Sequence, residues 1–354
     1  MPLLAPVIRR TRSSTPALYQ ATTLRPLAAT DAVFPSVPQK AGHYESFYLR
    51  AGHPSEPLAV WIRHTVHKPP GAGPRGSVWF TLFDPASGPP RASKVTGDDL
   101  AAGDGCLIRI GDSRFEPRRV VGAALSDPLA AAWSLELEPR DEPFEHLPRA
   151  WMYTAPLPRT KALSPCPSAL FRGQVTVDGR TIEVDGWPGM VGHNWGAEHA
   201  ERWVWLHGIA FHGDPDAWLD ATFGRIKVGP VTVPWIANAC LSLGGRRHRL
   251  GGLERALSTH VGARPGAFEF RLAGSDASVR GRVDADLADT VAWVYADPAG
   301  GEHQVLNCSA ASLELVVERD GGPASTLRTR SGASYELGMR ERDHGVAVQP
   351  FGDG

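Results

Sequence analysis

The sequence has few cysteines, almost no net charge and no long apolar run. Its four cysteines form no C-x-x-C pair, which argues against the usual cysteine-based zinc and redox motifs. The 37 basic and 38 acidic residues leave a formal net charge of −1. Nucleic acid and anionic membranes are therefore not expected as partners. No apolar run approaches the roughly 20 residues of a spanning helix, so we predict no transmembrane segment.

Several familiar signatures are missing as well. The chain contains no G-x-S-x-G nucleophile elbow, no Walker loop and no H-E-x-x-H motif. Gly71-Ala-Gly-Pro-Arg-Gly76 has the letters of a dinucleotide fingerprint. A strand pattern follows it where a helix is needed, so we interpret it as a hairpin loop. No apolar h-region follows the arginines near the N-terminus, and we expect a cytoplasmic protein.

What the sequence does contain is turn residues and alternating strands. Gly (38) and Pro (31) together make up close to a fifth of the chain, which is typical of short strands joined by turns. The string Phe171–Val177, then Asp178-Gly179, then Arg180–Val184 predicts a tight hairpin with a type I′ turn. Strand patterns recur about every 10 to 15 residues without a long amphipathic helix between them. We predict an all-β protein of two antiparallel domains.

The most unusual region is rich in tryptophan and histidine. Five of the 11 tryptophans lie between Trp187 and Trp218, and four of the 13 histidines lie between His193 and His212. This density has two explanations. The tryptophans could fill a barrel core with histidines at its rim, or they could wall a small-molecule pocket with a few convergent polar groups.

Alternation along one strand of this region adds detail. Trp203, Trp205 and His207 project to one face, and Val204 and Leu206 to the other. If the first set lines a barrel lumen, His207 lies among aromatic rings and its burial lowers its pKa. It could then act in acid–base chemistry, or it could be a core histidine that donates to a backbone carbonyl.

Just before that strand, His193-Asn194-Trp195-Gly196 offers an imidazole, an amide and an indole close together. A metal site built from His193, His199, His207 and Glu198 is not predicted, because their spacings do not bring ligands together on one strand or helix. Earlier in the chain, Arg63 is a charged residue in an otherwise apolar strand and needs a partner or solvent.

These strings resemble a known family. His193-Asn-Trp-Gly196, followed by a Trp-rich strand, is similar to the lipocalin-like carotenoid 1,2-hydratase superfamily, which includes tocopherol cyclase-like proteins. Glu45–Arg50 and Ala59–Thr65 resemble its uncharacterised actinobacterial branch. The resemblance implies two tandem lipocalin-like β-barrels side by side, with an apolar ligand in or between them. It also implies an acid in an aromatic pocket that protonates an alkene or closes a ring.

The chain departs from the family at one position. The hydratases carry Asp immediately before the His of this motif, and this chain has Gly192. Carotenoid hydration is therefore not transferred to this protein. Glu198, Glu201 or Asp185 could supply the acid, although each also fits a solvated surface carboxylate.

We therefore predict an extended or disordered arm over residues 1–40, an N-terminal barrel over 41–198 and a C-terminal barrel over 199–354. The protein is expected to bind a bulky hydrophobic small molecule, isoprenoid-like or polyketide-like, and to catalyse its cyclisation, hydration or isomerisation without an organic cofactor. The candidate catalytic residues are His193, Asn194, His207 and Glu198. The candidate ligand contacts are Trp195, Trp203, Trp205, Trp61 and Arg63. The alternatives are a non-catalytic carrier or sensor on the same scaffold, and a purely structural role for the Trp and His cluster between the barrels.

Overall fold

Alternating strands fold the chain into two antiparallel sheets. The computed structural model describes residues 31–127, 129–228 and 231–352. Residues 1–30 of the predicted arm lie outside the described residues. The first sheet has twelve strands: β1 (His43–Gly52), β2 (Ala59–Lys68), β3 (Arg75–Phe83), β4 (Arg91–Gly97), β5 (Leu100–Gly103), β6 (Cys106–Ile110), β7 (Ser113–Glu116), β8 (Arg119–Ser126), β9 (Leu129–Pro139), β10 (Phe144–Glu145), β11 (Thr160–Val177) and β12 (Arg180–Gly196).

The second sheet has ten strands: β13 (Arg202–Gly208), β14 (Trp218–Arg225), β17 (Ile236–Leu243), β18 (Arg246–Gly251), β19 (His260–Arg264), β20 (Ala267–Ala273), β21 (Ala277–Asp284), β22 (Val291–Ala296), β23 (Glu302–Arg319) and β24 (Ser325–Met339). Strands β15 (Lys227–Val228) and β16 (Val231–Thr232) form a separate ribbon. The helical turns of the described residues are 3₁₀: Phe34–Ser36, Ala150–Tyr153, Leu253–Ser258 and Leu287–Asp289. None of the helices in the described part of the chain has the length and hydropathy to span a membrane.

The strand order confirms the all-β, antiparallel prediction. The first sheet runs β4-β3-β2-β1-β12-β11-β9-β8-β7-β6-β5, with β10 beside β11. The second runs β18-β17-β14-β13-β24-β23-β21-β20-β19, with β22 beside β23. One sheet is a nearly closed barrel and the other a curled half-barrel. The chain passes from the first sheet to the second between Gly196 and Arg202.

Local turn chemistry is as the sequence predicts. Asp178 and Gly179 both have positive φ, 47° and 80°, and join Val177 of β11 directly to Arg180 of β12. These are the dihedrals of a type I′ turn. The glycine-rich string that ends at Gly76 lies mostly in the loop between β2 and β3, so its interpretation as a hairpin loop is confirmed. All four cysteines are free.

Each sheet encloses its own apolar core, and a third cluster joins the sheets. Phe47, Leu49 and Ile62 lie in the first core, and Val204 and Leu206 lie in the second. Between the sheets is an inter-sheet cluster: Ala59, Trp61, Trp79, Phe83, Ala92, Val291, Trp293, Tyr295 and Val305. Because side chains alternate along a strand, Tyr48 and Arg50 of β1, which flank the core residue Leu49, face the second sheet.

This arrangement corrects one expectation. Val204 and Leu206 share a face, as predicted, but they are the residues that fill the interior of the second sheet. Trp203 instead packs against the inter-sheet cluster, and His207 contacts Pro167 of the first sheet. The expectation that the Trp203, Trp205 and His207 face lines a lumen is therefore wrong. That face lies against the other sheet because the smaller aliphatic face fits the curled interior.

Candidate functional site

Tyr48 lies near the middle of the face that the first sheet presents to the second. In the antiparallel register, Tyr48 of β1 pairs with Gly192 of β12 on one side and with Arg63 of β2 on the other. Arg63 in turn pairs with Trp79 of β3. Paired residues of adjacent strands project to the same side of a sheet, so these side chains form one row along the region where the two sheets meet, which we call the cleft.

The Tyr48 ring fills the space that a side chain at position 192 would occupy. A Cβ atom on Gly192 would lie only 2.2 Å from Cζ of Tyr48, so the Tyr48 ring covers the glycine. The ring is half-buried and meets Trp205 of the second sheet edge-on, with ring centres 5.2 Å apart. Burial, with the carboxylates of Asp220 and Glu336 nearby, raises the pKa of Tyr48 well above its usual range. Its hydroxyl is therefore a hydrogen-bond donor at neutral pH.

Arg63 is a buried cation without a polar partner. Arg63 is only 5% exposed. Its guanidinium carbon lies 4.0 Å from the centre of the Tyr295 ring and 5.5 Å from the centre of the Trp79 ring. It makes no hydrogen bond or ion pair with any of the described residues, and its Nε is buried. Aromatic faces stabilise a guanidinium, but they leave its donors free for an acceptor oxygen.

Two carboxylates of the second sheet complete the cleft. Glu336 accepts hydrogen bonds from Trp203 Nε1 (3.0 Å) and from the Tyr295 hydroxyl (3.2 Å). Asp220 is fully buried and accepts from Trp205 Nε1 (3.2 Å).

Asp220 also contacts the first sheet. The Ser164 hydroxyl donates to Asp220 Oδ2 at 2.5 Å, and His146 Nε2 lies 3.4 Å from the same oxygen. Burial alone would raise the pKa of Asp220, but His146, His207 and the Ser164 hydrogen bond hold it below its usual value. Within the described residues, the cleft therefore contains a phenol and a guanidinium without hydrogen-bond partners, next to two carboxylates that accept hydrogen bonds from other side chains.

The structure places five further predicted residues in or beside this cleft. They are Trp61, Trp203, Trp205, His207 and Asn194. Asn194 is half-buried and accepts from the Ser46 hydroxyl. His207 Nε2 lies 2.8 Å from the carbonyl oxygen of Pro167, and burial lowers its pKa to about 4. Its ring is therefore neutral, and it is the donor to that carbonyl.

His193 points away from the cleft, into the first sheet. Its Nε2 donates to Glu45 Oε1 at 2.8 Å, and its ring stacks on Phe47 at 4.0 Å and on Trp195 at 4.4 Å. Burial lowers the pKa of His193. Burial would raise the pKa of Glu45, yet its hydrogen bonds with His193 and His43 and from the backbone bring it to about 2. The Glu45 carboxylate and its two histidine partners are therefore enclosed by protein.

Glu198, the predicted substitute acid, lies at the surface. Its carboxylate pairs with Arg159 and its side chain is 39% exposed. Asp185 is more exposed still and lies near Arg172, and Glu201 pairs with Arg340.

Sequence reasoning missed Tyr48, Asp220, Glu336 and His146. One signal was present in the string Trp218-Leu-Asp-Ala-Thr-Phe223, where Asp220 is a lone carboxylate in an apolar strand. A buried charge of this kind needs partners, and one of them, Ser164, lies 56 positions earlier in the chain.

A separate cavity of about 700 Å³ opens at one end of the second sheet. Its lining includes Arg225, Trp235 and Phe268. The guanidinium of Arg225 lies 5.8 Å from the Trp235 ring centre, and its Nε is buried without a hydrogen-bond partner among the described residues. Glu201, one of the carboxylates considered as a substitute acid, also lines this cavity, whereas none of the nine candidate catalytic and ligand-contact residues does.

Comparison with known proteins supports the fold. No family model matches the chain. It is 27% identical over 302 residues to an uncharacterised protein found in two strains of Mycobacterium tuberculosis, covering 85% of this chain and 87% of the relative. The solved structure of CghA covers 84% of this chain and 88% of its own with a TM-score of 0.54 at 10% identity. The chain therefore shares the fold of CghA.

Two further solved structures give lower scores. A proposed AttH from Nitrosomonas europaea has a TM-score of 0.49 at 15% identity, over 95% of this chain and 99% of its own. Kievitone hydratase from Nectria haematococca has a TM-score of 0.47 at 9% identity, over 89% of this chain and 92% of its own.

Proposed function

We propose that this protein binds a bulky hydrophobic small molecule with an acceptor oxygen, such as a conjugated ketone, between its two sheets, and catalyses its cyclisation, hydration or isomerisation. The observation that carries this proposal is that Tyr48 and Arg63 are neighbours on adjacent strands, and that neither the hydroxyl nor the buried guanidinium has a hydrogen-bond partner among the described residues. Both groups are donors, and both lie among aromatic side chains suited to a hydrocarbon.

The chemistry follows from these two donors. Tyr48 donates a hydrogen bond to the substrate oxygen, and the positive charge of Arg63 stabilises negative charge that develops there. Withdrawing electrons through that oxygen activates the conjugated alkene toward ring closure or toward addition of water. Ring closure leaves the composition of the substrate unchanged, and hydration adds one water. The walls formed by Trp79, Trp205 and Tyr295 hold the hydrocarbon in a reactive shape.

Two measurements test this proposal. The first is organic extraction of the protein purified from its own host, with mass spectrometry of any bound molecule, which then serves as a substrate candidate. The second is binding of prodan, an apolar fluorescent ketone, by wild type and by Tyr48→Phe. Losing one neutral hydrogen bond should weaken prodan binding by about three- to tenfold, and turnover of the extracted molecule should fall further.

Tyr335→Phe is the matched control. The Tyr335 hydroxyl donates to the backbone oxygen of Arg264 at 2.9 Å, away from the cleft, so prodan affinity should not change. Equal prodan affinity in wild type and Tyr48→Phe would overturn the assignment of the cleft. If Tyr48→Phe binds the extracted molecule more weakly than wild type but wild type does not convert it, the protein is a carrier and not an enzyme.

The cavity of the second sheet favours a second candidate, a carrier of an apolar anion. Arg225 and Trp235 offer it a cation with a free Nε and an aromatic wall. The probe is 8-anilinonaphthalene-1-sulfonate. If Arg225→Gln weakens binding of this anion and Tyr48→Phe does not, the second cavity is the ligand site.

A further inference from the structure

A cluster of two histidines and one aspartate lies where the chain passes between the sheets. His199 is in the segment that connects β12 to β13, Asp297 directly follows β22, and His303 is the second residue of β23. All three residues are buried, with exposed fractions of 8%, 4% and 0%. One ring nitrogen of each histidine and one carboxylate oxygen of Asp297 all lie within 4.8 Å of one another.

The two imidazoles are short of hydrogen-bond partners. His199 Nδ1 lies 2.8 Å from Asp297 Oδ1, but His199 Nε2 is buried with no partner among the described residues. His303 has no hydrogen bond at either ring nitrogen within the described part of the chain, and its Nδ1 lies 3.8 Å from Asp297 Oδ2. A buried polar atom without a partner costs free energy. An imidazole nitrogen with an unused lone pair can gain a partner by binding a metal ion.

The surrounding side chains hold the cluster in place. The His199 ring stacks between Tyr44, at 3.9 Å, and Trp203, at 5.3 Å. The backbone N–H of His199 also donates to Asp297 Oδ1 at 2.8 Å. The carboxylate therefore already connects the inter-sheet segment to the turn between β22 and β23.

One cation competes for the carboxylate. The guanidinium of Arg340 lies 3.7 Å from Asp297 Oδ2 and also donates to Glu201 at 2.9 Å. The Arg340 side chain is 40% exposed. Because Glu201 can keep Arg340, the Asp297 oxygen can be released to an ion without leaving the guanidinium unpaired.

We propose that His199, Asp297 and His303 bind a divalent transition-metal ion, with Zn²⁺ as the reference ion. Two imidazole nitrogens and one carboxylate oxygen suit zinc and its first-row neighbours, whereas Mg²⁺ and Ca²⁺ take oxygen ligands. Ligands about 2.1 Å from a tetrahedral ion are about 3.4 Å apart. The three ligand atoms, now within 4.8 Å of one another, must therefore approach one another by no more than about 1.4 Å. Small side-chain rotations supply a movement of this size. A fourth position stays open to water.

Metal content and cobalt spectroscopy on the full chain test the proposal. The protein is stripped with EDTA, loaded with ZnCl₂ or CoCl₂, and passed through gel filtration before its metal is measured by mass spectrometry. We expect one equivalent of bound ion and the visible absorption bands of protein-bound Co²⁺. The unfolding temperature should rise with free Zn²⁺, because the ion binds the folded state.

Variants locate the site. His303→Ala should weaken Zn²⁺ binding by at least about tenfold, since it removes one of three ligands. His248→Ala is the matched control, because His248 is also buried and its Nδ1 lies 3.0 Å from Asp276, with no third potential metal ligand beside them in the described part of the chain. The His248→Ala variant should bind Zn²⁺ with the affinity of wild type. Both are checked by circular dichroism for native folding.

Two outcomes would overturn the inference. One is a wild-type protein that retains no zinc and gives no Co²⁺ bands, a result that does not depend on how any variant folds. The other is unchanged affinity in a folded His303→Ala protein. Neither measurement uses the hydrophobic ligand, so failure here is distinct from failure of the cleft proposal.

Discussion

At the scale of single residues, Glu45 shows how a buried carboxylate ties distant parts of the chain together. Its oxygens accept from His193 and from the backbone N–H groups of Val33 and Phe34, at 2.7 to 3.0 Å. With His43 3.3 Å away, the carboxylate has enough partners to remain ionised without contact with water. Residues at the start of the described chain are thereby fixed to β1 and β12.

The low pKa of Glu45 predicts a pH-dependent stability. Its folded-state pKa of about 2 is below the ordinary 4.5, so its contribution is complete above pH 4.5 and is lost as the pH falls toward 2. We expect Glu45→Gln to lower the free energy of unfolding by about 3 kcal/mol at pH 7. The difference from wild type should shrink below pH 4.5, as measured by urea unfolding across that range.

Glu183→Gln serves as the control, because Glu183 is an exposed carboxylate on β12. It should change the free energy of unfolding by less than about 0.5 kcal/mol at every pH. A Glu45→Gln deficit that stays constant down to pH 3 would contradict the assigned ionisation.

At the scale of strands, an aromatic ring covers a glycine on the adjacent strand in both sheets. Tyr48 covers Gly192 across the β1–β12 pair. Trp203 covers Gly338 across the β13–β24 pair, where a Cβ atom would lie 2.1 Å from the indole. Each ring occupies the space that a side chain would fill at the glycine. The two glycines therefore allow the rings to take their positions in the cleft.

A methyl group at Gly192 tests this packing. Gly192→Ala should displace the Tyr48 ring and lower the free energy of unfolding by about 1–3 kcal/mol. The double variant Gly192→Ala/Tyr48→Ala should be less destabilised than the sum of its parts, because the clash is then absent. Strictly additive losses in denaturant unfolding would mean that the ring does not require the glycine.

Gly262→Ala on β19 is the matched control. The nearest atom to a Cβ there is a backbone oxygen at 3.7 Å, an ordinary contact. The substitution should leave the free energy of unfolding within about 0.5 kcal/mol of wild type.

At the scale of the whole molecule, a polar staple and an aromatic cluster hold the two sheets together. Arg50 of β1 is 1% exposed and donates to the backbone oxygens of Ser309 and Ser331 in the second sheet, at 2.7 to 3.1 Å. In the inter-sheet cluster, Trp293 meets Trp79 at 4.9 Å and Trp61 at 6.4 Å.

Trp293→Ala should therefore lower the free energy of unfolding by about 3–5 kcal/mol, since it leaves a large cavity between the sheets. Trp151→Ala is the control, because Trp151 is 64% exposed and its loss should cost less than about 0.5 kcal/mol. Urea unfolding followed by circular dichroism measures both. A loss below about 1 kcal/mol for Trp293→Ala would show that this cluster does not hold the sheets together.

Much of the fold could be predicted because its signals are local. The Asp178-Gly179 turn and the division of Trp203 and Val204 between two faces follow from residues within a few positions of one another. The candidate site was harder to predict from the sequence. Arg63 could be singled out as a charge in an apolar strand, but Tyr48 could not, because nothing near it in the sequence shows that it covers Gly192.

The sequence by itself determined which residues share a strand face, because the alternation of side chains depends only on the backbone. The tertiary structure decided which face turns inward and which meets the other sheet. It also decided that Glu45 pairs with His193, 148 positions away, and that Tyr48 meets Trp205 across the cleft. Those outcomes depend on how two curled sheets fill their interiors and cover each other, which no short stretch of sequence contains.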